Sequence, residues 1–183
     1  MKKLSVSIII VLLVQMLFAK SPFILKSPFK SNFIISRTFG YYKNSNNDLE
    51  LHEGIDFVVK SGTPVYPAFA GTVIEVGFNN ELGNYITILH SNGFKTRYCN
   101  LNSFKCKKGQ SVTTNKSIAN SGNTGISTGP HMCFRLYDSN DVAINPTEYF
   151  KELPKPTTPP DQELVNSSFQ EEEYTPELTF IEK

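Results

Sequence analysis

His52, Asp56, His131 and Cys133 are the side chains whose types and spacing point to chemistry. His52 and Asp56 are four apart, separated by Glu53-Gly54-Ile55 and followed by the β-prone run Phe57-Val58-Val59. An imidazole and a carboxylate brought to one point can bind a divalent cation or pass a proton. Gly54 permits the turn that would aim both inward. His131 and Cys133 are two apart, and residues two apart in a strand share a face. Three histidines occur in the chain, and two fall in these segments. The third, His90, precedes Ser91-Asn92-Gly93 and reads as a turn-edge residue. Four groups from two distant segments are therefore candidates for metal binding or proton transfer.

The elements that must position them are strands. Short β-prone runs at 33–39, 56–59, 71–76, 85–90 and 94–100 alternate with turns at 61–64 and 91–93. Residues 41–51 are polar and asparagine-rich and read as a loop at the mouth of a site. Ser111-Val112 and Ile118-Ala119-Asn120 are short apolar pieces, and 121–129 is a glycine-rich loop. In 131–137, Met132, Phe134 and Leu136 fall on one face, with His131, Cys133, Arg135 and Tyr137 on the other. No long segment has a 3.6-residue period. The expectation is an antiparallel all-β domain.

At 183 residues the chain suits one domain with appendages. A net charge of +1 gives no argument for nucleic acid. Met1-Lys2-Lys3 and the apolar run to Ala19 predict a signal peptide over 1–19 and export. A retained membrane anchor is the alternative, but the run is short for a spanning helix. Residues 20–35 read as an extended lead-in, and 36–150 as the folded domain. From Lys151 the chain turns proline-rich and acidic, which predicts a disordered tail over 151–183. Cys99 and Cys106 could close a small loop, geometry permitting. Cys133 would then be the odd thiol, which supports it as a metal ligand.

The order of motifs over 36–149 resembles the lysostaphin/LytM-type zinc metallopeptidases, which cleave peptides in bacterial peptidoglycan. The resemblance rests on His52-Glu53-Gly54-Ile55-Asp56-Phe57, Gly62-Thr63-Pro64-Val65-Tyr66 and Ala70-Gly71-Thr72-Val73. Further along it rests on Lys108-Gly109-Gln110, on the run from Gly122 to His131 and on Asn145-Pro146. It implies the antiparallel sheet or sandwich of that family, of the duplicated hybrid motif type. It also implies Zn2+ as cofactor, with His52 and Asp56 as ligands and peptidoglycan peptide stems or cross-links as substrate. The location implied is the periplasm or cell envelope.

Two positions depart from the family pattern. Its His-x-His motif stands here as His131-Met132-Cys133, so the acting histidine is His131 and the third ligand becomes Cys133. Its Tyr-x-His-Leu motif stands as Tyr98-Cys99-Asn100-Leu101, so a second non-ligand histidine becomes Asn100. Cysteine is a good zinc ligand. A second anionic ligand beside Asp56 nevertheless lowers the net positive charge that acidifies water. Asn100 can hydrogen-bond but cannot exchange a proton near neutral pH, a loss that typically costs about 10²–10⁴-fold.

Three readings follow. In the first, the chain is a hydrolase with His131 and an auxiliary Asn100 acting on a peptide held between loops 41–51 and 121–129. In the second, it is an inactive module that binds the wall or regulates another cell-wall hydrolase. In the third, a phosphotransfer-type β domain, Asp56 is unexplained.

Overall fold

The computed structural model describes residues 23–44 and 46–154. The signal expected at 1–19 and all but the first four residues of the tail expected at 151–183 lie outside them. Among the described residues no helix is long and apolar enough to cross a membrane.

The chain forms β1 (Ile34–Arg37), β2 (Gly40–Lys43), β3 (Leu49–His52), β4 (Gly54–Val58), β5 (Pro64–Val65) and β6 (Gly71–Asn79). It continues as β7 (Gly83–Leu89), β8 (Lys95–Phe104), β9 (Ser111–Val112), β10 (Ala119–Ser121), β11 (His131–Tyr137) and β12 (Ala143–Ile144). A single 3-10 turn, Pro146–Tyr149, follows, capped by the Asn145 side chain on the Thr147 N–H. One large sheet runs β1-β4-β11-β8-β7-β6-β9, and every strand pairing in it is antiparallel. The all-β antiparallel expectation is met.

β11 sits between β4 and β8 and shows why the sheet forms. Its alternating residues Met132, Phe134 and Leu136 are fully buried. They join Ile35, Ile55, Phe57, Ile86, Tyr98 and Leu101 in the main core. Each such side chain contributes about 1.5–3 kcal/mol by leaving water. A one-residue slip of β11 would turn that row outward, so burial fixes the register. The same register puts Cys133 opposite Asp56 on β4.

Three features differ from the sequence expectations. Residues 41–51, expected to be a loop, hold most of the hairpin β2–β3, which pairs Gly40 with His52. Most of its side chains are exposed on both faces, so it carries no alternating pattern. The lead-in is seated in the core: Leu25 and Phe29 are buried, and Leu25 bridges Phe150 in parallel. Cys99 and Cys106 are free thiols, Cys99 buried and Cys106 half-buried, so no small loop is closed between them.

Candidate metal centre

Asp56 stands in the middle of a row that crosses three strands. Arg37 of β1 is its register partner on one side, and Cys133 of β11 on the other. The pleat therefore sends all three side chains to one face. His52 arrives from the end of the hairpin. Its Nε2 lies 3.1 Å from Asp56 Oδ1 and 3.6 Å from Cys133 Sγ. One ligand atom from each of these three residues can be chosen so that all lie within 4.8 Å of one another.

Gly54 makes the close packing possible, although not as the turn residue that its sequence position suggests. A Cβ there would sit 2.5 Å from the Phe134 carbonyl oxygen and 3.1 Å from Cys133 Sγ. Space, rather than backbone freedom, requires glycine at this point.

The tautomer of His52 follows from its other nitrogen. Nδ1 is 2.9 Å from the Thr38 carbonyl oxygen, which can only accept, so Nδ1 carries the proton. Tyr42 OH donates to the same oxygen at 3.0 Å. Nε2 is the ring atom turned toward the carboxylate and the sulfur, and when it carries no proton its lone pair is available to a metal. A nitrogen, a carboxylate oxygen and a sulfur thus converge on one point, an arrangement that could hold a metal ion. Four-coordinate zinc with bonds of about 2.0–2.3 Å separates its ligands by about 3.3–3.8 Å. The observed 3.6 Å edge falls inside that spacing and the 3.1 Å edge just below it.

The charge states agree with this geometry. Burial works to raise the Asp56 pKa, but the His52 hydrogen bond and the charges of His52 and His131 outweigh it. The carboxyl therefore titrates below its ordinary 3.8. Burial, and then the neighbouring Asp56 carboxylate, push the Cys133 thiol well above its usual range. A divalent ion would supply the positive charge that turns this thiol into a thiolate ligand. Cys99 lines the same cleft, and burial pushes its thiol up to about 12.

His131 borders the cleft but sits outside the trio. Its Nδ1 donates to the Gly129 carbonyl at 2.8 Å, with Ser127 Oγ 2.9 Å away, leaving Nε2 free. Asn100 is buried in a left-handed conformation, φ 58°. Its Nδ2 donates to the Thr124 carbonyl at 2.8 Å, so one amide hydrogen is committed to the loop above the site. That loop is itself pinned, since the Ile126 N–H donates to Glu81 O at 3.0 Å. A cleft of about 400 Å³ is lined by His52, Asp56, Cys99, Asn100, His131 and Cys133, among others.

The structure thus brings together all five residues singled out in the sequence around one cleft. His90 is elsewhere, buried beside Phe23 and Phe69. Sequence reasoning missed the supports: the Thr38 carbonyl behind His52, and Ser127 and Gly129 behind His131. Ser127 offered a signal in its type and spacing, four residues before His131. The carbonyls offered none.

The family model for peptidase family M23 matches residues 50–146. The chain belongs to this family. It is 36% identical over 132 residues to an uncharacterized metalloprotease of Buchnera aphidicola, covering 70% of this chain and 34% of that protein. It is 44% identical over 85 residues to the peptidoglycan DD-endopeptidase ShyA of Vibrio cholerae, covering 46% of this chain and 20% of the relative. A crystal structure of a zinc-containing peptidase from Vibrio cholerae superposes with a TM-score of 0.62 at 34% identity, covering 69% of this chain and 39% of the other. The catalytic domain of lysostaphin from Staphylococcus simulans superposes with a TM-score of 0.59 at 30% identity, covering 64% of this chain and 92% of that domain. The chain spans about a third or less of the two curated relatives named. The resemblance to lysostaphin/LytM-type peptidases read from the sequence is borne out, as is the fold it implied.

Proposed function

We propose that the chain is a zinc-dependent metalloendopeptidase that cleaves peptide bonds of bacterial peptidoglycan in the cell envelope. His52 Nε2, Asp56 Oδ1 and Cys133 Sγ hold the metal. The observation that carries this reading is the convergence of the three donors within 4.8 Å of one another, with His52 Nε2 3.1 Å from Asp56 and 3.6 Å from Cys133. Their nitrogen, oxygen and sulfur chemistry suits zinc. When bound, zinc supplies Lewis acidity toward the scissile carbonyl and acidifies water.

The remaining chemistry belongs to the chain. His131 takes the proton of the attacking water on Nε2, because Nδ1 is occupied by Gly129. Its protonated ring then stabilises the oxyanion or returns the proton to the leaving amine. Asn100 keeps Oδ1 and one N–H for hydrogen bonds and acts as an auxiliary polar group. Thr38 orients His52 from behind, as outer-shell partners of metal-binding histidines do. Residues 1–19 direct export, and peptide stems or cross-links are the substrate. The relatives named above are peptidases, which favours hydrolysis over a regulatory role toward another hydrolase.

The test is clearing of purified peptidoglycan by the full chain. Clearing should vanish with a chelator, return with zinc and fail in Cys133→Ala. A folded chain that binds one zinc and clears nothing would leave the regulatory reading standing instead.

A further inference from the structure

The cleft beside the metal centre continues on both sides, and one basic side chain borders all of it. Arg37 lines the central cleft and both flanking ones. It is half-buried, and its backbone is the register partner of Asp56. Even so, its guanidinium pairs with no carboxylate among the described residues. The other two arginines are occupied: Arg97 with Glu75, and Arg135 with Glu53 and Glu81. Arg37 instead lies over the Tyr42 ring, 5.2 Å from its centroid. That ring is buried, and its hydroxyl is bonded to Thr38. Stacking holds the guanidinium plane while leaving its hydrogen-bond donors free.

A stacked, unpaired guanidinium at the wall of a cleft is suited to bidentate capture of a carboxylate. The flanking cleft lined by Arg37, Val58 and residues 126–131 contains no acid other than Asp56. The opposite one contains Glu50, Glu53 and Glu81. Ile126, 77% exposed, also borders all three.

We infer that Arg37 is a substrate-binding residue that takes a carboxylate of the peptide and so fixes which way the peptide lies across the cleft. This rests on the hydrolase reading for the identity of the peptide, but it is tested by binding. NMR titrations of the full chain would use a soluble peptidoglycan stem peptide with free carboxylates and the same peptide with those groups amidated. The wild type should prefer the carboxylate form by about 10- to 100-fold, as a charged, bidentate hydrogen-bonded pair provides. Arg37→Gln should erase the preference, and Arg37→Lys should keep part of it. Equal binding of both forms by the wild type, no binding of the carboxylate form, or a preference that survives in Arg37→Gln overturns the inference. Cleavage scored in the same samples separates the two ideas. A preference without cleavage keeps the arginine subsite and removes the hydrolase, whereas cleavage without preference does the reverse.

Discussion

His52 and His90 each donate from Nδ1 to a backbone carbonyl, Thr38 and Ala70 respectively, at 2.9 Å in both cases. The difference lies at Nε2. In His90 it meets the Thr96 hydroxyl at 2.9 Å, a neutral partner that can donate. In His52 it meets a carboxylate and a sulfur. One imidazole ends on a neutral hydroxyl, while the other ends on two groups of metal-ligating type. A histidine fixed by a backbone carbonyl is thus no sign of a metal site until its second nitrogen is inspected.

The largest break in this comparison comes from removing the sulfur. Cys133→Ala should weaken zinc binding by more than about 100-fold, beyond what loss of an outer hydrogen-bond partner causes. Competition with a chromogenic chelator reads this. His90→Ala should leave zinc affinity unchanged within about threefold. It should instead cost about 2–3 kcal/mol of folding stability, because the buried ring leaves a cavity and the buried Thr96 hydroxyl loses its partner. Urea unfolding measures that loss, and an equal effect of the two variants on zinc would erase the distinction. Gly54→Ala should cost about 2 kcal/mol through overpacking, and should weaken zinc binding as well because the new methyl crowds Cys133. The same two measurements report it.

The smallest effect is in pH. Burial holds the His90 pKa below its ordinary 6.5, against the opposing pull of the Ala70 hydrogen bond. The unfolded chain therefore takes up the proton first. Stability is full above about 6.5 and is lost as pH falls toward and through the lower folded value. Asp56 is likewise depressed, but its loss begins only below 3.8. In metal-free protein, the urea midpoint should fall between pH 7 and pH 5 in the wild type, and less so in His90→Gln. Equal slopes in both would remove His90 from the account.

The reading of the sequence reached furthest where side-chain type and period coincide. β11 spans 131–137 as expected because Met132, Phe134 and Leu136 alternate with polar residues. His52, Asp56 and Cys133 were visible for their chemistry. The hairpin β2–β3 was not, because its exposed faces leave no alternation to read. Leu25 and Phe29 were hidden among serines, prolines and lysines with no period, although burial decides their place. Thr38 holds His52 through a backbone oxygen that every residue type possesses. Arg37 looked like any basic residue in a strand, since the missing acid partner is a property of the folded surface.

The bridge between Leu25 and Phe150, with the Leu25 N–H donating to Tyr149 O at 2.7 Å, places the two ends of the domain side by side. Chains built this way tolerate being re-cut. A circular permutant that joins the ends by a short linker and starts afresh at the exposed Gly109 turn would keep β4, β11 and the hairpin in one uninterrupted order. The convergence of His52, Asp56 and Cys133 is therefore portable: it depends on which strands lie next to one another, and not on where synthesis begins.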